Sequence, residues 1–248
     1  MKVSLLRNFV SPLIAVTAIA TGEVAHAATF SIGADSQGWF RQDGATNANP
    51  GLIANTFTGT FEELEHRSFF TFDVSGLTSP IQGGKLRLLQ EFYFSGDPSE
   101  TVTAFDVSAP AETLVENPPL IQGQEIFEDL GSGSIYGAGT IAADPGWSPI
   151  GKFLEIVLSD VAISAINEAQ QGAGNFSLGL TLTSLGGNEL GGAEGVRFSD
   201  PMSMPMDEQA KLFLQVEDVQ AVPEPFALWG YLSVAALGGV LRKFLKRA

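Results

Sequence analysis

Between residues 28 and 216 the dominant period of the apolar side chains is two, not 3.6, a period that commits most of the chain to strands with one face turned to a core. Over 85–94, Leu86, Leu88, Phe92 and Phe94 face one way and Lys85, Arg87 and Glu91 the other, with Gln90 as the exception. Phe176, Leu178, Leu180 and Leu182 alternate with Ser177, Gly179, Thr181 and Thr183, which predicts a strand whose second face is solvated. Leu212, Leu214 and Val216 alternate in the same way with Lys211, Gln215 and Glu217. Weaker alternation predicts strands over 29–32, 55–60, 68–74, 101–107 and 153–158, separated by Gly, Pro, Asn and Asp clusters. Eight short strands with one-sided burial predict an all-β fold, an antiparallel sandwich or jelly roll.

One internal helix is expected. Ser159 or Asp160 caps it, Val161, Ala162, Ala165, Ile166 and Ala169 form its apolar stripe, and Gly172 ends it in a left-handed conformation. It would close one end of the sandwich. Between 108 and 152 prolines and glycines break every period, and an extended crossover with a short hairpin is expected there. Leu114, Ile126, Phe127, Leu130, Ile135, Tyr136 and Trp147 are the residues through which it would pack.

The two ends carry a different signal. Lys2 and Arg7 precede an apolar stretch, 9–20, and Ala25-His26-Ala27 before Ala28 is a small-x-small cleavage site, so 1–27 read as a secretory signal peptide for signal peptidase. The apolar run 226–241 has 16 residues. As a helix it covers about 24 Å, slightly short of the ~30 Å hydrocarbon core. Arg242, Lys243, Lys246 and Arg247 all follow it, and basic residues are held on the cytoplasmic side, so residues 28–221 are expected as one extracytoplasmic domain anchored on the periplasmic side of the inner membrane.

Val222-Pro223-Glu224-Pro225, the apolar run and the basic tail 242–248 together resemble the PEP-CTERM sorting signal of exopolysaccharide-producing Gram-negative bacteria. The resemblance implies that an exosortase-type membrane protease recognises the tripeptide and removes the helix, sending the protein to the cell surface or extracellular matrix. A fainter likeness lies in the middle of the chain. Arg67-Ser68-Phe69-Phe70-Thr71-Phe72-Asp73-Val74-Ser75-Gly76-Leu77, followed by Gly84-Lys85-Leu86-Arg87-Leu88, resembles secreted bacterial β-sandwich domains. It implies a fold and is silent on chemistry.

Charge limits the partners. Residues 28–221 hold seven bases against 26 acids, a formal charge of −19, which disfavours nucleic acid and anionic polymers and leaves cations and neutral ligands. The chain has no cysteine, and after removal of the leader His66 is its one histidine, so neither disulfides nor a His-rich zinc site is expected. Asp35, Asp43, Asn47 and Asn49 offer oxygens within one Gly-rich loop and are candidates for a structural Ca²⁺, against the alternative of an ordinary polar turn. Their spacing is not that of an EF-hand loop. Trp39, Tyr136 and Trp147 are candidates to stack on a pyranose ring, though aromatics are equally at home in a sandwich core. A glycoside hydrolase needs two carboxylates ~5 to 10 Å apart, and Glu62, Glu63 and Glu65 are the densest acids, beside His66 and Arg67. A Ser-His-Asp triad would have to use His66, and Gly131-Ser132-Gly133 lacks the strand-turn-helix setting of a nucleophile elbow. The expectation is therefore a non-enzymatic structural protein of the envelope or matrix. A carbohydrate-binding module for exopolysaccharide comes second and a polysaccharide hydrolase third. A coplanar row of exposed aromatics would separate the first two.

Overall fold

All eight predicted segments form strands, and three more join them, in a computed structural model that describes residues 28–48, 54–142, 152–186, 189–190, 192–198 and 210–216. In chain order these are β1 (Ala28–Gly33), β2 (Ser36–Arg41), β3 (Thr56–Phe61), β4 (Leu64–Asp73), β5 (Ile81–Phe94), β6 (Ser99–Asp106), β7 (Ile135–Ala142), β8 (Phe153–Val157), β9 (Asn175–Leu182), β10 (Ala193–Phe198) and β11 (Lys211–Val216). The three that alternation does not predict, β2, β7 and β10, each carry internal glycine. The signal peptide, the sorting motif Val222–Pro225, the apolar run and Arg242, Lys243, Lys246 and Arg247 lie outside the described residues. Among the described residues no helix is long and apolar enough to cross a membrane.

Among the described residues every ladder is antiparallel, and the hydrogen-bonded path runs β1–β11–β5–β10–β3–β4–β9–β6–β7, with β2 added to β4 and β8 to β5. β5 is 14 residues long and belongs to two layers: its first half pairs with β11 and β8, its end with β10. The result is sandwich-like. Leu86 and Leu88 of β5, Phe70 and Phe72 of β4, Leu178 and Leu180 of β9 and Leu212 and Leu214 of β11 meet in one core between the layers. At the far side β7 comes close to β8, and Ser159 N–H donates to Tyr136 O at 2.7 Å. A Cβ on Gly137 would sit 2.4 Å from Val157 O, so only glycine permits that approach.

Helix α3 (Asp160–Gln171) is capped as expected, Ser159 Oγ accepting from Ala162 N–H at 3.4 Å. Two details differ. The buried stripe is Ala162, Ile163 and Ile166 while Val161 faces solvent, and Gly172 has φ −114, the left-handed residue being Gly174. Asn167 both donates to Ile81 O and accepts from Ile81 N–H, which ties the helix to the start of β5.

The stretch 108–134 corrects the expectation of a single internal helix. It contains the short α1 (Ala111–Leu114) and the ten-residue α2 (Leu120–Asp129). Pro119 fixes extended backbone just before the first turn, where a missing N–H does no harm. Gly123, Ile126 and Phe127, with Leu130 just beyond the helix, are buried at helical spacing, and they cover Phe40 and Phe69 on the outer face of β2 and β4 as a second core. Arg67 pins this layer: its guanidinium lies 4.1 Å from the Phe127 ring and donates to Phe127 O at 3.0 Å, at the helix end that favours positive charge. The second face of β9 is consequently covered, not solvated, and Thr181 is 8% exposed. Leu114, Ile126, Phe127, Leu130 and Tyr136 pack as anticipated, Ile135 points to solvent, and Trp147 lies outside the described residues.

Candidate functional site

The oxygens proposed for calcium are separated by a strand. Asp35 precedes β2 and Asp43 follows it, so six residues of extended chain, about 20 Å, hold them apart. Each has a local task. Asp35 accepts from Asp73 N–H at 2.5 Å. Asp43 takes both Nε and Nη2 of Arg41, at 2.8 and 2.7 Å, and caps Ala45 N–H; the Arg41 hydrogen bonds foremost hold its carboxyl down to about 2. Asn47 accepts from Trp39 N–H and donates to Asn55, closing the loop between β2 and β3. Asn49 lies outside the described residues. The structure thus does not assemble Asp35, Asp43 and Asn47 around one ion.

The proposed ligand aromatics also part company. Tyr136 is 3% exposed, stacks on Phe176 in the main core with centroids 5.6 Å apart, and donates its hydroxyl to Asp106 at 2.5 Å. Burial and the Asp106 carboxylate raise its pKa far above that of an ordinary phenol. No face of that ring is open to a sugar. Trp39 instead begins a row that sequence reasoning missed. Its ring meets His66 at 4.8 Å, His66 meets Phe57 at 5.2 Å, Phe57 meets Phe94 at 6.0 Å and Phe94 meets Phe92 at 5.7 Å. The ladders build it: His66 pairs with Gly59, Gly59 with Gly195 and Gly195 with Phe94, so the row crosses four neighbouring strands from β4 to β5. The first three contacts are edge-to-face, at 72°, 85° and 65°, so the rings interlock instead of lying coplanar.

His66 sits in the middle of that row, 6% exposed, with Nδ1 on Leu64 O at 3.0 Å. Burial lowers its pKa, aided by the nearby Arg41 charge. Glu62 and Glu63 do not form a cleft with it; they are the two central residues of the β3–β4 turn, both left-handed. Glu65 is held by Arg67 at 2.8 Å.

Among the described residues one group of carboxylates does converge. Asp97, in the turn after β5, Glu100 at the start of β6 and Glu194 at the start of β10 place carboxylate oxygens within 4.8 Å of one another, with Glu100 only 1% and Glu194 3% exposed. Glu100 accepts from Ser95 Oγ at 2.5 Å and from Ser184 Oγ, and Glu194 accepts from Gly186 N–H at 3.1 Å. Tyr93 donates to Asp97 O, and its pKa is raised, by burial foremost and then by the three acids. Hard oxygens at this spacing have the reach to share a divalent cation such as Ca²⁺, which takes oxygens at ~2.3–2.6 Å. No local pattern announces the group, because Glu194 arrives from 94 residues downstream.

No family model matches the chain, and the search of curated proteins finds none similar to it.

Proposed function

We propose that this chain is exported by its signal peptide, retained at the inner membrane by 226–241, and cut at the PEP-CTERM motif by an exosortase-type protease. Its core then serves as a non-enzymatic structural protein of the cell envelope or extracellular matrix. The terminal segments support the address. The observation that carries the structural reading is His66: the one imidazole of the exported chain is wedged edge-to-face between Trp39 and Phe57, where it knits β2, β4 and β3 together. The neighbouring polar groups are used the same way, Arg41 on Asp43 and Arg67 on Glu65 and the end of α2. The interlocked ring row favours this over a carbohydrate-binding module, which would want coplanar exposed rings.

The test is fractionation of the producing cell with mass measurement of the recovered protein. Export predicts a mature N-terminus at Ala28 and a C-terminus near Val222–Pro225. Changing Arg242, Lys243, Lys246 and Arg247 together to Glu should leave unprocessed protein in the membrane. A cytosolic chain with its leader intact, or normal processing of that variant, would sink the sorting reading. Hydrolysis of a polysaccharide that vanishes in a single Asp or Glu variant would sink the structural one.

A further inference from the structure

The seven bases of residues 28–221 are not spread evenly. Arg41, Arg67 and Arg197 are paired with Asp43, Glu65 and Glu91. Three others, Lys85, Arg87 and Lys211, share one sheet face with Glu155, whose carboxylate pairs with Lys85 at 2.8 Å and lies 3.8 Å from Arg87, so three bases stand against one acid and the face keeps a positive balance. The ladders put Phe213 opposite Lys85 and Lys85 opposite Val157, and in the next row Lys211 opposite Arg87 and Arg87 opposite Glu155. This is the outer face of β11, β5 and β8, since Leu86 and Leu212, which alternate with these residues, are in the core. It is also apolar: Val157 is 73% exposed and Phe153 38%. The cations lie over the rings, Arg87 at 3.5 Å from the Phe153 centroid and Lys85 at 5.8 Å from that of Phe213.

The opposite side of the molecule is its electrostatic complement. Helix α2 buries one stripe on Phe40 and Phe69 and turns the other outward, with Ile121 75% exposed and Glu125 and Glu128 one and two turns further along. Leu120 adds apolar surface, Glu112 and Glu116 of the α1 region are exposed as well, and no base lies between residues 88 and 151. A basic, apolar face and an acidic, apolar face therefore stand on the two sides of one sandwich.

We propose that copies of this chain stack head to tail, the Lys85–Arg87–Lys211 face of one seated on the α2 face of the next. The occupant is a second copy rather than a glycan because the Arg87 and Lys85 side chains cover the ring faces that a pyranose would need. Capped rings, arginine and exposed aliphatic residues are the composition of a protein interface. An anionic polymer would meet the −19 charge of the whole domain along its length. A stacked copy carries the same −19 but brings it as a compact body, so the contact is set by the two local faces while repulsion between the more distant charges is screened beyond roughly 8–10 Å. Because the two faces differ and lie on opposite sides, the contact is heterologous and does not close on itself, so it grows open chains. This is a property of the folded core and does not depend on the export reading.

The experiment uses the full chain in a non-ionic detergent, as an equal mixture of ¹⁴N- and ¹⁵N-labelled protein treated at low salt with a carbodiimide that joins lysine to carboxylate. The expected products link Lys85 or Lys211 of one isotope to Glu125 or Glu128 of the other, and they fade as salt is raised. Two charge-reversed variants, Lys85→Glu with Lys211→Glu, and Glu125→Lys with Glu128→Lys, should each self-associate at least ~10-fold more weakly, since in each the two faces no longer carry opposite charge. Mixed together they should associate again. Absence of mixed-isotope links, links mapping to other faces, binding of an anionic glycan to a chain that stays monomeric, or a mixture no better than its parts would each overturn the proposal.

Discussion

Gly179 of β9 lies directly beneath Leu130, the residue that follows α2: a Cβ built on it would sit 2.2 Å from the Leu130 carbonyl oxygen and 2.7 Å from its Cα. That contact is where the helical layer rests on the sheet. Gly179→Ala must lift the layer or distort the strand, and overpacking of this kind costs roughly 1–3 kcal/mol. Gly33→Ala is the control, because nothing lies within 4 Å of a Cβ there. Thermal unfolding should show a clear loss at 179 and a change within about 0.5 kcal/mol at 33. Equal effects at the two positions would mean that α2 does not seat on β9.

The neighbouring pair on the same strand separates the two cores. Leu180 is fully buried in the main core, so Leu180→Ala should cost roughly 2–5 kcal/mol. Thr181 faces the second core and donates to Leu130 O at 3.4 Å, so Thr181→Ala should lose about 1 kcal/mol, enough to lower the melting temperature by a few degrees. A solvated threonine, as alternation alone suggests, would show almost nothing. The comparison of the two melting curves therefore reads whether the α2 layer is in place.

What the sequence made legible follows from how far each signal reaches. Strands with an unbroken period of two, such as 176–182 and 212–216, are visible because the pleat alone sets the pattern. The missed strands are those in which glycine serves a close approach and so looks like a turn. Gly195 lies against the Phe57 ring, 2.6 Å from where its Cβ would be, and Gly139 faces Leu154 at 2.7 Å. α2 was hidden in the same way. Gly123 stands at a buried position of its helical stripe because it touches Gly44, and the two prolines that read as breakers come just before its first turn. Asp35 and Asp43 read as one loop in sequence because Gly38 inside β2 breaks the strand pattern between them. The Asp97–Glu100–Glu194 group and the Trp39-to-Phe92 row depend on pairings between strands remote in sequence, which no window along the chain contains.

His66 gives the fold a pH dependence with a definite sign. Burial lowers its folded pKa below the usual 6.5, so the unfolded chain takes up a proton at a pH where the folded one still refuses it. Stability from this group is therefore complete above about pH 6.5 and falls as pH drops from there through the lower folded value. His66→Phe keeps an aromatic ring in the row and cannot titrate, so the variant should lose this slope while retaining most of its stability at pH 8. Denaturant unfolding between pH 8 and 5 checks it. A variant whose stability falls as steeply as the parent's would show that the slope belongs to other groups.

The β3–β4 turn stores strain that a short substitution can relieve. Glu62 and Glu63 have φ of 51° and 67°, both in the left-handed region that disfavours residues with a Cβ, and this two-residue loop has the backbone that Asn-Gly adopts with ease. The two carboxylates also sit beside Glu65 in a domain already far on the acidic side. Replacing the pair by Asn-Gly removes the conformational strain and two like charges, and it keeps the Glu62 N–H position that donates to Gly192 O at 3.0 Å. The extra unfolded-state freedom of glycine opposes the gain by up to ~1 kcal/mol, while each left-handed residue relieved contributes roughly 1–2 kcal/mol. The balance is a stabilisation of about 1 kcal/mol or more, read as a rise of roughly 2–4 °C in melting temperature for a domain of this size. The reverse change in backbone demand gives the second arm: Glu63→Val, β-branched at a left-handed position, should lower the melting temperature by a similar amount. If Asn-Gly lowers stability or Val leaves it unchanged, the turn is not held in the left-handed conformation, and the register His66↔Gly59 that starts the aromatic row would have to be reassigned.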